Sequence, residues 1–286
     1  MAYPLEHHDV RTNGLRLHVV QCGPPAGELV VLLHGFPEFW YGWQHQIQVL
    51  AQAGYRVWVP DQRGYNLSDK PARVADYALP TLAADIIGLL DAAGAAQARV
   101  VGHDWGGIVA WYLAAHYPAR VLQTAILNVP HPAVVPRQLW RLPSQLLRSW
   151  YIFFFQLPGL PEWFMRRRAC QAGVRTLVGT SRRGTFAPAD LDRYRAAWTQ
   201  PGALTGMLNW YRALLRRPAL GRWPRIRGPL LLLWGRRDAF LDARLAEPSV
   251  RECEQGSVEF FDKATHWLQH EEVAAVNARL LVFFKM

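Results

Sequence analysis

The sequence predicts an α/β fold: a mostly parallel, doubly wound sheet whose strand–helix alternation is interrupted once by a helical insert. Three observations carry this. Short apolar, β-branched runs recur along the first 130 residues, alternating with helix-periodic stretches. Between about residues 131 and 223 no good strand run occurs, and strand character resumes at 230–234 and 257–261. The chain is 286 residues long, 51% hydrophobic and 19% charged, which suits one large domain carrying an insertion.

In chain order, Asn13-Gly14 separates two strand-like runs and signals a hairpin. Residues 29–33 are an all-apolar strand ending in His34-Gly-Phe-Pro37, and helical spacing follows through Trp43, Ile47 and Leu50. The strand at 55–60 leads into Asp61-Gln-Arg-Gly-Tyr-Asn-Leu-Ser-Asp-Lys-Pro71, dense in turn formers. Thr81 opens a helix to about Ala93. A strand beginning at Arg99 then meets the corner Gly102-His-Asp-Trp-Gly106 and a helix through Ile108, Trp111 and Leu113. Residues 122–127 form the next strand, and 271–284 read as a closing helix. The expected layout is a core of residues 1–130 and 225–286 around a helical lid of 131–224.

Charge is unevenly placed. The chain carries a net charge of +10, yet residues 131–228 contain 17 Arg, no Lys and only 3 acidic residues. A nucleic-acid surface has this composition, but an arginine-rich solvated helical face is the plainer reading, and no nucleic-acid partner is expected. Six of the 13 Trp lie in the same segment, implying a helical unit with a wide apolar interior. Cys22, Cys170 and Cys253 are too scattered for a disulfide framework or a metal site and fit a reducing cytosol. The N-terminus is polar, without a signal-peptide pattern. The longest apolar run of the lid, 150–155, falls far short of the roughly 20 residues that span a bilayer. The expected setting is cytoplasmic.

The chemistry centres on Gly102-His-Asp-Trp-Gly106. A strand, a glycine-flanked corner and a helix make a nucleophile elbow, whose central residue stands exposed above the sheet. That residue is commonly Ser; here it is Asp104. A carboxylate is already charged and needs no base to attack. It attacks amides poorly and strained or activated alkyl carbons well, so the corner implies covalent hydrolysis and argues against an esterase. Asp238 follows the strand at 230–234, and His266 follows the strand at 258–261. The order nucleophile, acid, histidine is that of a hydrolase triad, in which the imidazole takes a proton from water and the acid fixes its tautomer. The backbone N–H groups of Phe36 and Trp105 are placed to bind an oxyanion.

With these residues in view the chain resembles the epoxide hydrolases of the α/β-hydrolase superfamily. The resemblance rests on His34-Gly-Phe-Pro-Glu-Phe-Trp-Tyr-Gly-Trp43, on Asp61-Gln-Arg-Gly-Tyr-Asn-Leu-Ser-Asp-Lys70 and on Gly102-His-Asp-Trp-Gly-Gly107. Two lid pieces, Trp150-Tyr-Ile-Phe-Phe-Phe-Gln-Leu-Pro-Gly159 and Leu208-Asn-Trp-Tyr-Arg212, extend it over nearly the whole chain. In that family two lid tyrosines hold the epoxide oxygen, and the resemblance assigns this role to Tyr151 and Tyr211. It implies a small hydrophobic epoxide as substrate, a vicinal diol as product, and no metal or organic cofactor. Trp40, Phe155 and Trp105 are expected to line the pocket; oligomeric state stays open between monomer and homodimer.

Each assignment has a plainer rival. Asp242 and Asp262 compete with Asp238 for the acid role. Tyr211 lies on an apolar helical stripe with Met207, Trp210 and Leu214, and Tyr151 lies in an apolar run, so each reads equally as core until the resemblance is considered. His103 is read as structural. A haloalkane or haloacid dehalogenase would use the same elbow and Asp, but a halide leaves without a proton, and Phe36 stands where many haloalkane dehalogenases carry a side-chain amide. A non-catalytic binding protein on a hydrolase scaffold is the third reading.

Overall fold

A computed structural model describes residues 2–138, 141–216 and 223–286. Its sheet contains β1 (Glu6–Thr12), β2 (Leu15–Cys22), β3 (Leu29–Leu33), β4 (Arg56–Pro60), β5 (Ala98–His103), β6 (Val121–Leu127), β7 (Leu230–Gly235) and β8 (Gly256–Phe261), in the spatial order β1-β2-β4-β3-β5-β6-β7-β8. β1 and β2 pair antiparallel, as do β2 and β4; every other pairing is parallel. The hairpin turns where expected. Asn13 and Gly14 both have positive φ, 45° and 76°, as a two-residue turn matched to strand twist requires. β1 is the edge strand, and its exposed Glu6, His7, His8 and Asp9 discourage further pairing.

The central strands are apolar at successive positions because both faces are covered. Side chains alternate across the sheet. Val31 and Leu33 therefore enter one core with Val100 and Leu232, while Val30 and Leu32 enter another with Val101 and Leu233. Helices α1 (Gln44–Gln52), α2 (Leu79–Ala92) and α3 (Trp105–His116) connect β3 to β6. α1 supplies Ile47 and Leu50 to the second core, joined there by Leu280 and Phe283 near the C-terminus. α2 and α3 supply Leu82, Ile86, Val109 and Leu113 to the first.

Between β6 and β7 the described chain is helical: α4 (Val134–Gln138), α5 (Pro143–Arg148), α6 (Trp150–Phe154), α7 (Leu160–Thr180), α8 (Pro188–Trp198) and α9 (Ala203–Arg216). Its buried residues, including Val174, Leu177, Tyr194, Trp198, Met207 and Trp210, continue the first core. One contact is backbone on backbone. A Cβ on Gly206 of α9 would lie 2.5 Å from the Gly64 carbonyl oxygen, so only glycine lets α9 approach the 61–71 loop this closely. Trp210 on the same helix donates its indole N–H to the Arg63 carbonyl at 2.9 Å. α7 is broken by left-handed backbone at Arg168, Ala169 and Cys170, a feature the sequence did not announce. Three further helices, α10 (Ala246–Val250), α11 (Leu268–Glu271) and α12 (Val273–Phe284), complete the core. Cys22, Cys170 and Cys253 are buried free thiols.

Candidate active site

The parallel strands deliver their C-terminal ends to one rim, where folds of this kind gather functional groups. β5 ends at His103, and Asp104 follows with φ 50° and ψ −120°, a strained conformation for a residue with a side chain. The corner closes this tightly because its flanks are glycines: a Cβ on Gly102 would lie 2.4 Å from the Gly106 carbonyl, and one on Gly106 2.1 Å from that of Leu33. The turn lifts the Asp104 carboxylate off the sheet toward the β3 loop. There the Phe36 N–H donates to its Oδ1 at 2.9 Å. Trp105 opens α3 directly after Asp104, so its N–H has no acceptor within the helix.

Three sequence-predicted side chains meet here. His266 lies 3.7 Å from Asp104, Nε2 to Oδ2, and 2.7 Å from Asp238, Nδ1 to Oδ2. Asp238 is fully buried, and both of its oxygens are occupied. Oδ1 accepts the N–H groups of Phe240 and Leu241 at 2.7 and 3.0 Å; Oδ2 accepts the Asn128 amide at 2.7 Å besides the imidazole. Burial opposes its ionisation, but His266 and these donors hold its carboxyl below the usual range. Burial also opposes a charged His266, yet Asp238, Asp104 and Glu38 outweigh it and push the imidazole up to about 9. The rival acids are engaged elsewhere: Asp262 pairs with Arg236 at 2.9 Å and Asp242 with Arg244 at 2.7 Å.

Above this chain lies a cavity of about 480 Å³, lined by Asp104, His266, Phe36, Tyr151, Phe155 and Tyr211 together with Arg148, Trp150, Phe164, Met165, Gly173 and Phe240. Its size and apolar wall suit a small organic ligand. Tyr151 on α6 and Tyr211 on α9 stand side by side, ring centroids 5.8 Å apart, and Tyr211 also meets Phe36 and Phe155. Burial pushes both phenols well above their usual value. For Tyr211 the neighbouring Tyr151 and Asp104 add to it, and for Tyr151 the charges of Asp104 and Asp238 do. Both therefore stay protonated at neutral pH and can donate hydrogen bonds. A carboxylate and two protonated phenols that line one apolar cavity can attack carbon and supply a proton to a departing oxygen.

Trp40 is not among the cavity-lining residues, which corrects the expectation for it. It opens the 3₁₀ turn Trp40–Trp43, donates its N–H to Asp61 Oδ1 at 3.0 Å, and sets its ring edge-on against His7 of β1, 5.3 Å away. Trp105 is also buried off the wall, with its ring packed behind Tyr211 at 5.0 Å. His103 turns below the corner, bonded to Glu38 Oε2 at 3.1 Å and the His266 carbonyl at 2.9 Å. Glu38 is itself a buried hub that also accepts from Tyr194, Gln269 and His270.

Two contributors were missed. Asn128, at φ 49°, gives one amide proton to Asp238 and accepts the Gly235 N–H at 3.0 Å, tying β6 to β7 beneath the acid. Arg148 donates to the Asp238 carbonyl at 2.5 Å and reaches the cavity wall. The only local hint of the first is an Asn at a strand end, a residue type that tolerates left-handed backbone; nothing local flags the second. Among the described residues no group of three or more His, Cys, Asp or Glu converges with metal-binding geometry.

Residues 28–273 match the alpha/beta hydrolase fold family. The chain is 47% identical to the AB hydrolase superfamily protein YfhM of Bacillus subtilis, over 96% of each chain. It is 36% identical to epoxide hydrolase A of Mycobacterium tuberculosis, over 96% of this chain and 95% of that one. The crystal structure of epoxide hydrolase A from Mycobacterium thermoresistibile superposes with a TM-score of 0.87 at 34% identity, covering 99% of this chain and 98% of that one.

Proposed function

Because this chain belongs to the α/β hydrolase superfamily, within its epoxide hydrolase family, we propose that it adds water to an epoxide to give a vicinal diol through an ester on Asp104. Asp104 Oδ2 attacks a ring carbon, the carbon–oxygen bond breaks, and its electron pair passes to the epoxide oxygen. That oxygen takes a proton from the Tyr151–Tyr211 pair, which regains one from the His266 imidazolium. Esterification also removes the Asp104 charge, one of the influences that hold His266 protonated. The neutral imidazole then takes a proton from water, whose oxygen attacks the ester carbonyl. Phe36 and Trp105 N–H groups stabilise the oxyanion. Collapse releases the diol oxygen, which takes the proton back from His266; the reformed carboxyl sheds its remaining proton to the imidazole.

The observation that carries this reading is the pair of protonated phenols sharing one apolar cavity with Asp104 and His266. A halide needs no such proton, so the pair favours an epoxide over a haloalkane. The test is single turnover in ¹⁸O-labelled water with a styrene-type epoxide, alongside halide release from short haloalkanes. Label is expected in Asp104 and not in the first diol formed. Label appearing first in the diol, or halide release without diol formation, would overturn the proposal.

A further inference from the structure

Around the mouth of the cavity the surface is apolar to a degree unusual for a solvated face. Leu147, Trp150 and Phe164 line the cavity yet remain 77%, 64% and 51% exposed. On the same helices Leu146, Phe153 and Trp163 are 53%, 57% and 55% exposed. Trp150 meets Phe154, and Phe154 meets Phe164, each pair with centroids 6.1 Å apart, so α6 and the first turn of α7 form one continuous rim. Exposed arginines border it: Arg141 before α5, and Arg166, Arg167 and Arg168 on α7, with Arg167 over the Trp163 ring at 4.4 Å. Carboxylates are nearly absent here, with Glu162 engaged by Arg212 at 2.7 Å.

We propose that this face docks on an anionic phospholipid surface, with the cavity mouth turned toward the lipid. Exposed Trp and Phe flanked by arginines is the composition that settles at the headgroup boundary. Among the described residues no helix is long and apolar enough to cross a membrane, so the contact is with the surface. Charge selects this occupant over a second copy of the chain. A two-fold dimer would set this face against itself, bringing like-charged arginine borders together, whereas phosphate headgroups neutralise them. The docking is independent of which reaction the cavity performs.

The test is co-sedimentation of the full chain with phosphatidylcholine vesicles, with and without phosphatidylglycerol, while tryptophan fluorescence is followed. Binding is expected only to the anionic vesicles, with a blue shift and a decline as salt rises. Each arginine near the surface strengthens partitioning about fivefold, so Arg166→Gln, Arg167→Gln and Arg168→Gln together should weaken it about a hundredfold with the circular dichroism unchanged. Phe153→Ser with Trp163→Ser, at positions off the cavity wall, should independently weaken vesicle binding and reduce the blue shift, Trp150 remaining as a reporter. No sedimentation at low salt, or equal binding to neutral vesicles, would overturn the proposal. So would a protein dimer that forms without lipid and is dissolved by the Phe153/Trp163 pair, or equal affinity for nucleic acid with the same arginine dependence.

Discussion

Replacing Asp104 by Asn copies the charge of the esterified enzyme without alkylation. The Asn carbonyl oxygen can still accept the Phe36 N–H, so the corner should keep its shape. What changes is the field at His266. Unit charges about 3.7 Å apart interact by about 1 kcal/mol with bulk-water screening and about 4 kcal/mol at the effective dielectric of a partly buried site. At about 1.4 kcal/mol per pH unit, the His266 pKa should fall from about 9 by roughly one to three units. NMR titration of the imidazole nitrogens reads this directly. Stability should follow. A histidine whose pKa is raised in the folded state stabilises below its unfolded value near 6.5, and this contribution is lost as pH rises through about 9. The Asp104→Asn variant should show a shallower decline in Tm across that window. A His266 still titrating near 9 in the variant would refute the idea that esterification releases the base.

Three further outcomes are expected. Tyr151→Phe or Tyr211→Phe alone should lower kcat by about a hundredfold, and the double variant by about ten-thousandfold; a double variant near wild-type kcat would remove the phenols from the reaction. His266→Gln should stop turnover after alkylation, so intact-mass measurement should show the protein plus one epoxide; stalled turnover without that adduct would contradict the two-step route. Gly206→Ala should destabilise by about 1–3 kcal/mol, lowering Tm by several degrees, because its methyl would press on the Gly64 backbone rather than a movable side chain; an unchanged melt would show that α9 can shift away.

The sheet was legible because its central strands are buried on both faces and so announce themselves as unbroken apolar runs. Asp104 and His266 were legible for a related reason, since each follows such a run at the rim. Trp40 was misread because proximity to His34-Gly-Phe-Pro37 does not fix ring direction; the 3₁₀ turn and the contact with His7 do, and the latter depends on β1. Asn128 escaped notice because its role comes from left-handed backbone and from neighbours more than 100 residues away. The break in α7 lies at Arg168-Ala-Cys170, residues without a turn signature, so helix periodicity runs across it unmarked.

β6 and β7 are hydrogen-bonded neighbours, from Thr124↔Leu230 to Leu127↔Leu233. About a hundred residues thus leave and rejoin the sheet at adjacent points. The carboxylates and imidazole come from outside that excursion, and the two phenols from inside it. The groups that handle charge can hold their geometry while the intervening segment lengthens, shortens or changes its aromatic residues. Under the proposed reaction this is a socket: the excursion can be exchanged to admit other molecules, provided its replacement returns two hydroxyl donors above Asp104 and a donor where Arg148 now meets the Asp238 carbonyl.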